Sequence, residues 1–252
     1  LAAFIPQGKY KECAIALFKE MSRLKRYGLT DAELKRSKLR VSSSIESSYH
    51  KRETTSSEQL TDELVRHYLN GEPVPGIEYE HQLTVEILPE ISLEEVNTYL
   101  SQWMPKEGRL LHLMTCDEDA PSATELVEWL NEAEEAEVSP PTLEEELPPL
   151  LTERPTQGQI VSRERIEELD IEVLTLSNDI EVWIKSTDYQ KDSLWLTLYQ
   201  QGGYSHVGVQ DLVAARTAQS IASKSGVAEL NRDQLKKTLS GKRITAQPML
   251  NK

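Results

Sequence analysis

His50-Lys51-Arg52-Glu53-Thr54 carries the first half of a helical zinc motif. In a working His-x-x-Glu-His site, the histidines at i and i+4 share one helix face. Both imidazoles then reach one metal ion, and the glutamate serves as base. Thr54 stands where the second histidine is needed, so this stretch reads as a solvated helix end. His67 lies among Glu63, Arg66 and Tyr68 and reads as a surface or partner contact. His81 and His112 have no ligand-spaced neighbour. His112 alternates with Leu111 and Leu113, as an interior or edge histidine of a strand would. His206 follows Gly202-Gly203, which lack a Cβ and permit close backbone approach, and it reads as a turn residue. Ser42 and Ser44 have no histidine at a spacing known for serine chemistry. Gln201-Gly202-Gly203 lacks the Lys-Ser/Thr that a phosphate loop needs. Glu144-Glu145-Glu146 could draw cations, but a solvated linker is the simpler reading. No catalytic, cofactor-binding or metal-binding role is assigned to any residue.

The elements that would position these side chains follow from periodicity. Lys9–Tyr27 places Cys13, Leu17, Phe18, Met21 and Leu24 at helical spacing, and Gly28 is a good stop. Thr30 with Glu33 forms a capping box that opens a helix toward Tyr49, weakened by the serines of Ser42–Ser48. A third helix begins near Ser56-Ser57 and ends at Gly71-Glu72-Pro73-Val74-Pro75-Gly76. A short helix is predicted over Glu78–Leu88. Ser92 with Glu95 opens another to about Trp103, and Ser122 with Glu125 opens one to about Ala136. Arg109–Cys116 reads as a buried strand. Val138–Pro155, with Pro140-Pro141 and Pro148-Pro149 around the glutamates, is an extended, solvated linker.

A second unit starts near Val161. Val173–Ile184 predicts two short strands around a turn, Ser193–Tyr199 a third, and Lys242–Gln247 a fourth. A helix from about Val209 to Ser225 follows the glycine turn, and another opens at Asn231 and ends at Leu239-Ser240-Gly241. Four strands and two helices are few for such a sheet, which predicts further chain beyond Lys252.

With 252 residues the chain has room for one large domain or two small ones, either able to bury a core. Its 38% hydrophobic and 28% charged content fits a globular protein. The net charge of −14 opposes binding to phosphate backbones and anionic membranes, which depends on Lys and Arg. No apolar run approaches the roughly 20 residues of a membrane span. Cys13 and Cys116 lack metal-type spacing; a disulfide and two buried free thiols both fit. The chain does not begin with Met and shows no signal peptide. It reads as an internal piece of a longer polypeptide.

Two regions carry a likeness. One is Arg26-Tyr27-Gly28-Leu29-Thr30-Asp31-Ala32-Glu33-Leu34, with Glu72-Pro73-Val74-Pro75-Gly76-Ile77-Glu78-Tyr79-Glu80 and Leu88-Pro89-Glu90-Ile91-Ser92-Leu93-Glu94-Glu95-Val96. The other is Ile184-Lys185-Ser186-Thr187-Asp188-Tyr189 with Gln201-Gly202-Gly203. They resemble the second domain and the start of the third domain of the insulinase/pitrilysin zinc metallopeptidases. The likeness is greatest to the bacterial branch that includes pyrroloquinoline quinone synthesis peptidases. In that family a first-domain helix carries His-x-x-Glu-His. At the matching positions of the repeat this chain reads Ala214-Ala215-Arg216-Thr217-Ala218.

The resemblance implies an α+β fold of antiparallel-rich sheets packed by helices. Residues 1–137 would be the C-terminal part of the second, inactive domain, 138–160 the acidic Pro-rich linker, and 161–252 the N-terminal part of the third, metal-less domain. It implies a non-catalytic central segment of a zinc metalloendopeptidase, forming chamber wall and the hinge between halves. The parent would hydrolyse peptides with a zinc-activated water, zinc being bound there and not by this segment. Partners would be peptide or unfolded polypeptide substrate, the remaining domains of the same polypeptide, and a second copy or a homologous partner chain. Nucleic acid and a membrane span are excluded. The implied compartment is the bacterial periplasm or cell envelope, with the cytoplasm as the alternative. The competing reading is a segment of a catalytically inactive partner subunit that binds peptides or a catalytic homologue. An unrelated helical scaffold would require Leu174–Pro248 to lack a sheet.

Overall fold

The computed structural model describes residues 2–102, 108, 110–142 and 146–251. Contacts divide the chain into two compact units, Leu1–Lys38 with Glu86–Glu145, and Leu39–Val85 with Glu146–Lys252. The helices are α1 (Tyr10–Tyr27), α2 (Asp31–His50), α3 (Ser57–Asn70), α4 (Ile77–Ile87), α5 (Leu93–Gln102), α6 (Ala123–Glu135), α7 (Leu212–Lys224) and α8 (Arg232–Thr238). The strands are β1 (Ile160–Ile166), β2 (Ile171–Leu176) and β3 (Glu181–Ile184). The fold is α+β.

Most helix starts are written in the capping chemistry. Thr30 N donates to Glu33 Oε2 at 2.8 Å, and Glu33 N donates back to Thr30 Oγ1 at 3.3 Å. The same reciprocal pair joins Ser92 with Glu95, Ser122 with Glu125, and Asn231 with Gln234. Each pair satisfies donors that the first helical turn leaves open. The serines of Ser42–Ser48 do not stop α2, which runs to His50. At its C-terminal end Tyr49 stacks on His81, and Ser47 Oγ accepts from Arg243 Nη1 at 2.5 Å. Tertiary contacts there outweigh a weak intrinsic propensity.

Donors from the Ser122 backbone and hydroxyl hold the Glu125 carboxyl below the usual carboxylate range, and Ser92 does the same to Glu95. A depressed native pKa contributes stability above the unfolded-state value of about 4.3 and loses it as pH falls through the lower native value. The amides of the first turn of α6 should therefore exchange at a pH-independent opening equilibrium from pH 7 to 5 and open progressively below about 4.3. Glu125→Gln should flatten that acid limb, because Gln keeps the cap without titrating. An unchanged limb would show that Glu125 is not the group responsible.

The first unit is built on α1 against α6. Phe18 and Ala14 of α1 meet the fully buried Ala133 of α6, with Ile15, Met21, Leu111, Trp129 and Leu130 packed around them. Alanines on both helices allow close approach, and Lys11 pairs with Glu132 at 3.1 Å on the rim. Where α1 ends, Gly28 adopts φ 69° and ψ −161°, and Asn97 of α5 clamps the next peptide. Asn97 Oδ1 accepts from Leu29 N at 2.7 Å, and its Nδ2 donates to Leu29 O at 3.1 Å.

In the second unit the sheet order is β1-β2-β3, antiparallel throughout. Leu174 pairs with Arg163 on one side and Val182 on the other, and it is the sheet's buried residue. The β2–β3 turn closes through Leu176 N to Ile180 O at 2.9 Å, with Asp179 at φ 63°. This is the hairpin expected from Val173–Ile184; the sheet also rules out a purely helical scaffold. β1 was not read from the sequence, because Ile160-Val161-Ser162-Arg163-Glu164-Arg165-Ile166 alternates poorly and lies mostly exposed.

Among the described residues three expected strands are absent. Ser193–Tyr199, Lys242–Gln247 and the described part of Arg109–Cys116 form no ladder. A strand exists only where a neighbour takes its backbone groups, and none of these segments lies beside one. Leu110–Cys116 is held through side chains instead: Leu111 packs on the helical core, and Tyr10 Oη lies 2.8 Å from Thr115 Oγ1 and donates to Asp117. Arg109 itself, Trp103 at the expected end of α5, and Glu144-Glu145 lie outside the described residues. The described residues of 138–155 contain no helix or strand.

Candidate functional site

The glycine turn and α7 form the part of the chain that the resemblance matched to the family's metal-motif positions. Gly202 and Gly203 take φ 141° and 102°, conformations that side chains rarely adopt. A 3-10 turn, Tyr204–His206, follows, then a second, Val209–Asp211, which leads into α7. On α7, Ala214, Thr217 and Ala218 are exposed. Thr217 Oγ1 donates within its own helix, to Val213 O at 3.1 Å and Ala214 O at 3.0 Å. Two methyl groups and a hydroxyl engaged with its own helix offer no zinc donor set. The residues here do not fit a zinc ion. Among the described residues, no group of three or more His, Cys, Asp or Glu is placed to hold a metal.

The histidines singled out by sequence are dispersed. His206 is exposed in its turn, with its backbone N donating to Gly203 O at 3.2 Å. His67 Nδ1 sits 2.6 Å from Glu72 O, where it closes the end of α3. His112 is exposed, and not on a strand as expected. His50 Nε2 is 3.9 Å from Glu46 Oε1 and edge-on to Tyr49. Glu53, the acidic member of the half-motif, pairs with Lys191 at 2.5 Å, which holds its carboxyl below the usual range. Thr54 Oγ1 donates to Lys51 O at 3.1 Å. The half-motif is thus spent on a helix end and an ion pair. Both cysteines are free; Cys13 is half-buried and Cys116 exposed, so neither the disulfide nor a pair of buried thiols describes them.

One cluster was not read from the sequence. His81 of α4 stacks on Tyr49 with ring centroids 4.4 Å apart, and the Arg52 guanidinium lies 4.4 Å from the same ring. Arg52 Nε also reaches Glu78 Oε1 at 3.2 Å. Tyr49 and Arg52, at i and i+3, were the available signal for half of it; His81 is far away in sequence and gave none. Arg52 is salt-bridged and stacked at once, and the Tyr49–His81 stack ties α2 to α4. Elsewhere, in the first unit, a shallow open groove is lined by Ile87, Ile91, Val96 and Tyr99 with Glu90 and Glu95.

Among the described residues no helix is long and apolar enough to cross a bilayer. Homology to a zinc protease supports a kinship of this α+β chain with the insulinase/pitrilysin-type zinc proteases. The chain is similar to the zinc protease PQQL-like of Arabidopsis thaliana, 32% identical over 221 residues, which make up 85% of this chain and 23% of the relative. The chain thus spans less than a quarter of that protein's length. No family model matches the chain. Two solved structures align over most of it. One is the periplasmic protease PqqL from Escherichia coli, with TM-score 0.44 and 19% identity, covering 90% of this chain and 25% of that one. The other is the ferredoxin protease FusC in complex with Arabidopsis ferredoxin, with TM-score 0.41 and 18% identity, covering 92% and 26%.

Proposed function

We propose that this chain is a non-catalytic segment of a zinc metalloendopeptidase, supplying chamber wall and the hinge between the halves of its parent. The observation that carries this reading is the α7 face, where Ala214, Thr217 and Ala218 occupy the positions of the family's metal motif and Thr217 spends its hydroxyl on its own helix. In this reading 1–137 belongs to the second domain of the parent, 138–160 is the linker, and 161–252 begins the third. Peptide hydrolysis, and the zinc that supports it, belong to another part of the polypeptide. Substrate is peptide or unfolded polypeptide, and the compartment is the bacterial periplasm or cell envelope, as in the branch the sequence resembles.

Elemental analysis and a quenched-peptide assay test this together. The full-length polypeptide should carry about one zinc and lose peptidase activity to a chelator. Residues 1–252 alone should carry none and cleave nothing. Stoichiometric zinc with chelator-sensitive cleavage in 1–252 would sink the assignment. A full-length protein that holds no zinc and cleaves nothing would replace it with the inactive-partner reading.

A further inference from the structure

Asn70-Gly71 is the chain's only asparagine followed by glycine. The pairing has a chemistry of its own. The backbone nitrogen of the following residue can attack an asparagine amide carbon and close a five-membered imide. Glycine has no Cβ to crowd that approach. A larger following residue hinders it, as at Asn97-Thr98, Asn131-Glu132 and Asn178-Asp179.

The structure sets this dipeptide at the C-terminal end of α3, and both residues are exposed. Gly71 caps the helix at φ 69° and ψ 22°, and a Cβ there would meet nothing within 4 Å. The reacting atoms are therefore open to water. Gly71 N donates to His67 O at 2.9 Å, and that bond must open before the nitrogen can attack. α3 resists such opening weakly. It has no buried residue, and Leu60, Leu64, Tyr68 and Leu69 are each at least half exposed. A helix without buried apolar contacts frays at its ends at little cost in free energy.

We propose that Asn70 is a site of spontaneous modification, and that its deamidation unfastens the end of α3. Gly71 N gives its proton to hydroxide and bonds to Asn70 Cγ, and Nδ2 leaves as ammonia. Water then opens the imide at one carbonyl or the other, which leaves aspartate or isoaspartate. The consequence runs through Glu72. Its carboxylate accepts from Asn70 Nδ2 at 3.3 Å and from Arg66 Nε at 3.1 Å, and its backbone O sits 2.6 Å from His67 Nδ1. Deamidation replaces the donor beside Glu72 Oε1 with a second carboxylate. Two like charges then face each other at the end of a helix whose dipole already disfavours negative charge there. The isoaspartyl product also adds a carbon to the backbone, which displaces Gly71 N from His67 O. None of this depends on zinc or on the domain assignment, so it and the functional reading can fail separately.

Peptide mapping by mass spectrometry tests it on the full-length polypeptide, folded and in urea, incubated at mildly acid and mildly alkaline pH. The peptide holding Asn70 should gain about 1 Da in the folded protein, with both aspartyl and isoaspartyl products. The gain should accumulate at least about tenfold faster at pH 8 than at pH 6, because the attacking nitrogen must lose its proton. Asn70→Gln, whose ring would be six-membered, should stay unmodified. Hydrogen exchange should show the amides of Leu69–Glu72 opening faster in Asn70→Asp than in the unmodified protein. Conversion in urea but not in the folded protein overturns the proposal, since the helix end is then closed. Aspartate formed without isoaspartate overturns the imide route. Unchanged exchange in Asn70→Asp overturns the loosening of α3.

Discussion

Phe18→Ala should lower the unfolding free energy by about 3–5 kcal/mol, a large part of the 5–15 kcal/mol of an ordinary domain. Phe18 is 6% exposed, and its neighbours in the buried cluster are Ala14 and Ala133, the latter wholly buried. Alanines bring the backbones of α1 and α6 close, so those backbones leave little slack to fill a vacated ring. The cavity should therefore persist, and the loss should fall toward the top of the range. Urea unfolding followed by far-UV circular dichroism measures it. Phe18→Leu should recover more than half of the loss, because it restores most of the apolar volume. A loss below about 1 kcal/mol for Phe18→Ala would show that this ring is not what joins α1 to α6.

Gly28→Ala should cost about 2–4 kcal/mol, for two separable reasons. The backbone at φ 69° and ψ −161° is strained for any residue with a Cβ. A Cβ there would also run into the Asn97 side chain, 2.6 Å from its Nδ2 and nearer still to its Cγ and Oδ1. Asn97 cannot swing aside cheaply, since its amide holds both Leu29 N and Leu29 O. Gly71→Ala separates the two causes. Gly71 caps α3 at φ 69° and ψ 22°, and a methyl group added there would meet nothing within 4 Å. Only the left-handed penalty of about 1–2 kcal/mol then applies. If both substitutions cost the same in urea unfolding, the Asn97 clamp contributes nothing at Gly28.

Helices were legible in this chain because their signals are local. Thr30 with Glu33, Ser92 with Glu95 and Ser122 with Glu125 each satisfy backbone donors within four residues, so the pattern in sequence is the structure. The β2–β3 hairpin was legible for the same reason, closed by a tight turn at Asn178-Asp179. Ser193–Tyr199 and Lys242–Gln247 read as strands in sequence yet join no ladder among the described residues, because apolar content reports a need for burial and says nothing about which neighbour meets it. The exposed β1 was missed for the converse reason: it pairs through backbone, with side chains that do not advertise a strand.

The chemistry of the site divides in the same way. Residue type alone says that Ala214 and Ala218 carry no atom that binds zinc and that Thr217 offers one hydroxyl, a poor ligand, since donor atoms are recognisable from the side chain's formula. Sequence likewise showed that Thr54 breaks the half-motif begun at His50. Only tertiary structure revealed where Thr217 sends its hydroxyl, that Glu53 is held by Lys191, and that His81 stacks on Tyr49. Those outcomes depend on residues distant in the chain, whose approach is set by packing and not by spacing. What a residue can do is covalent and local; what it does do depends on which neighbour the fold brings within reach.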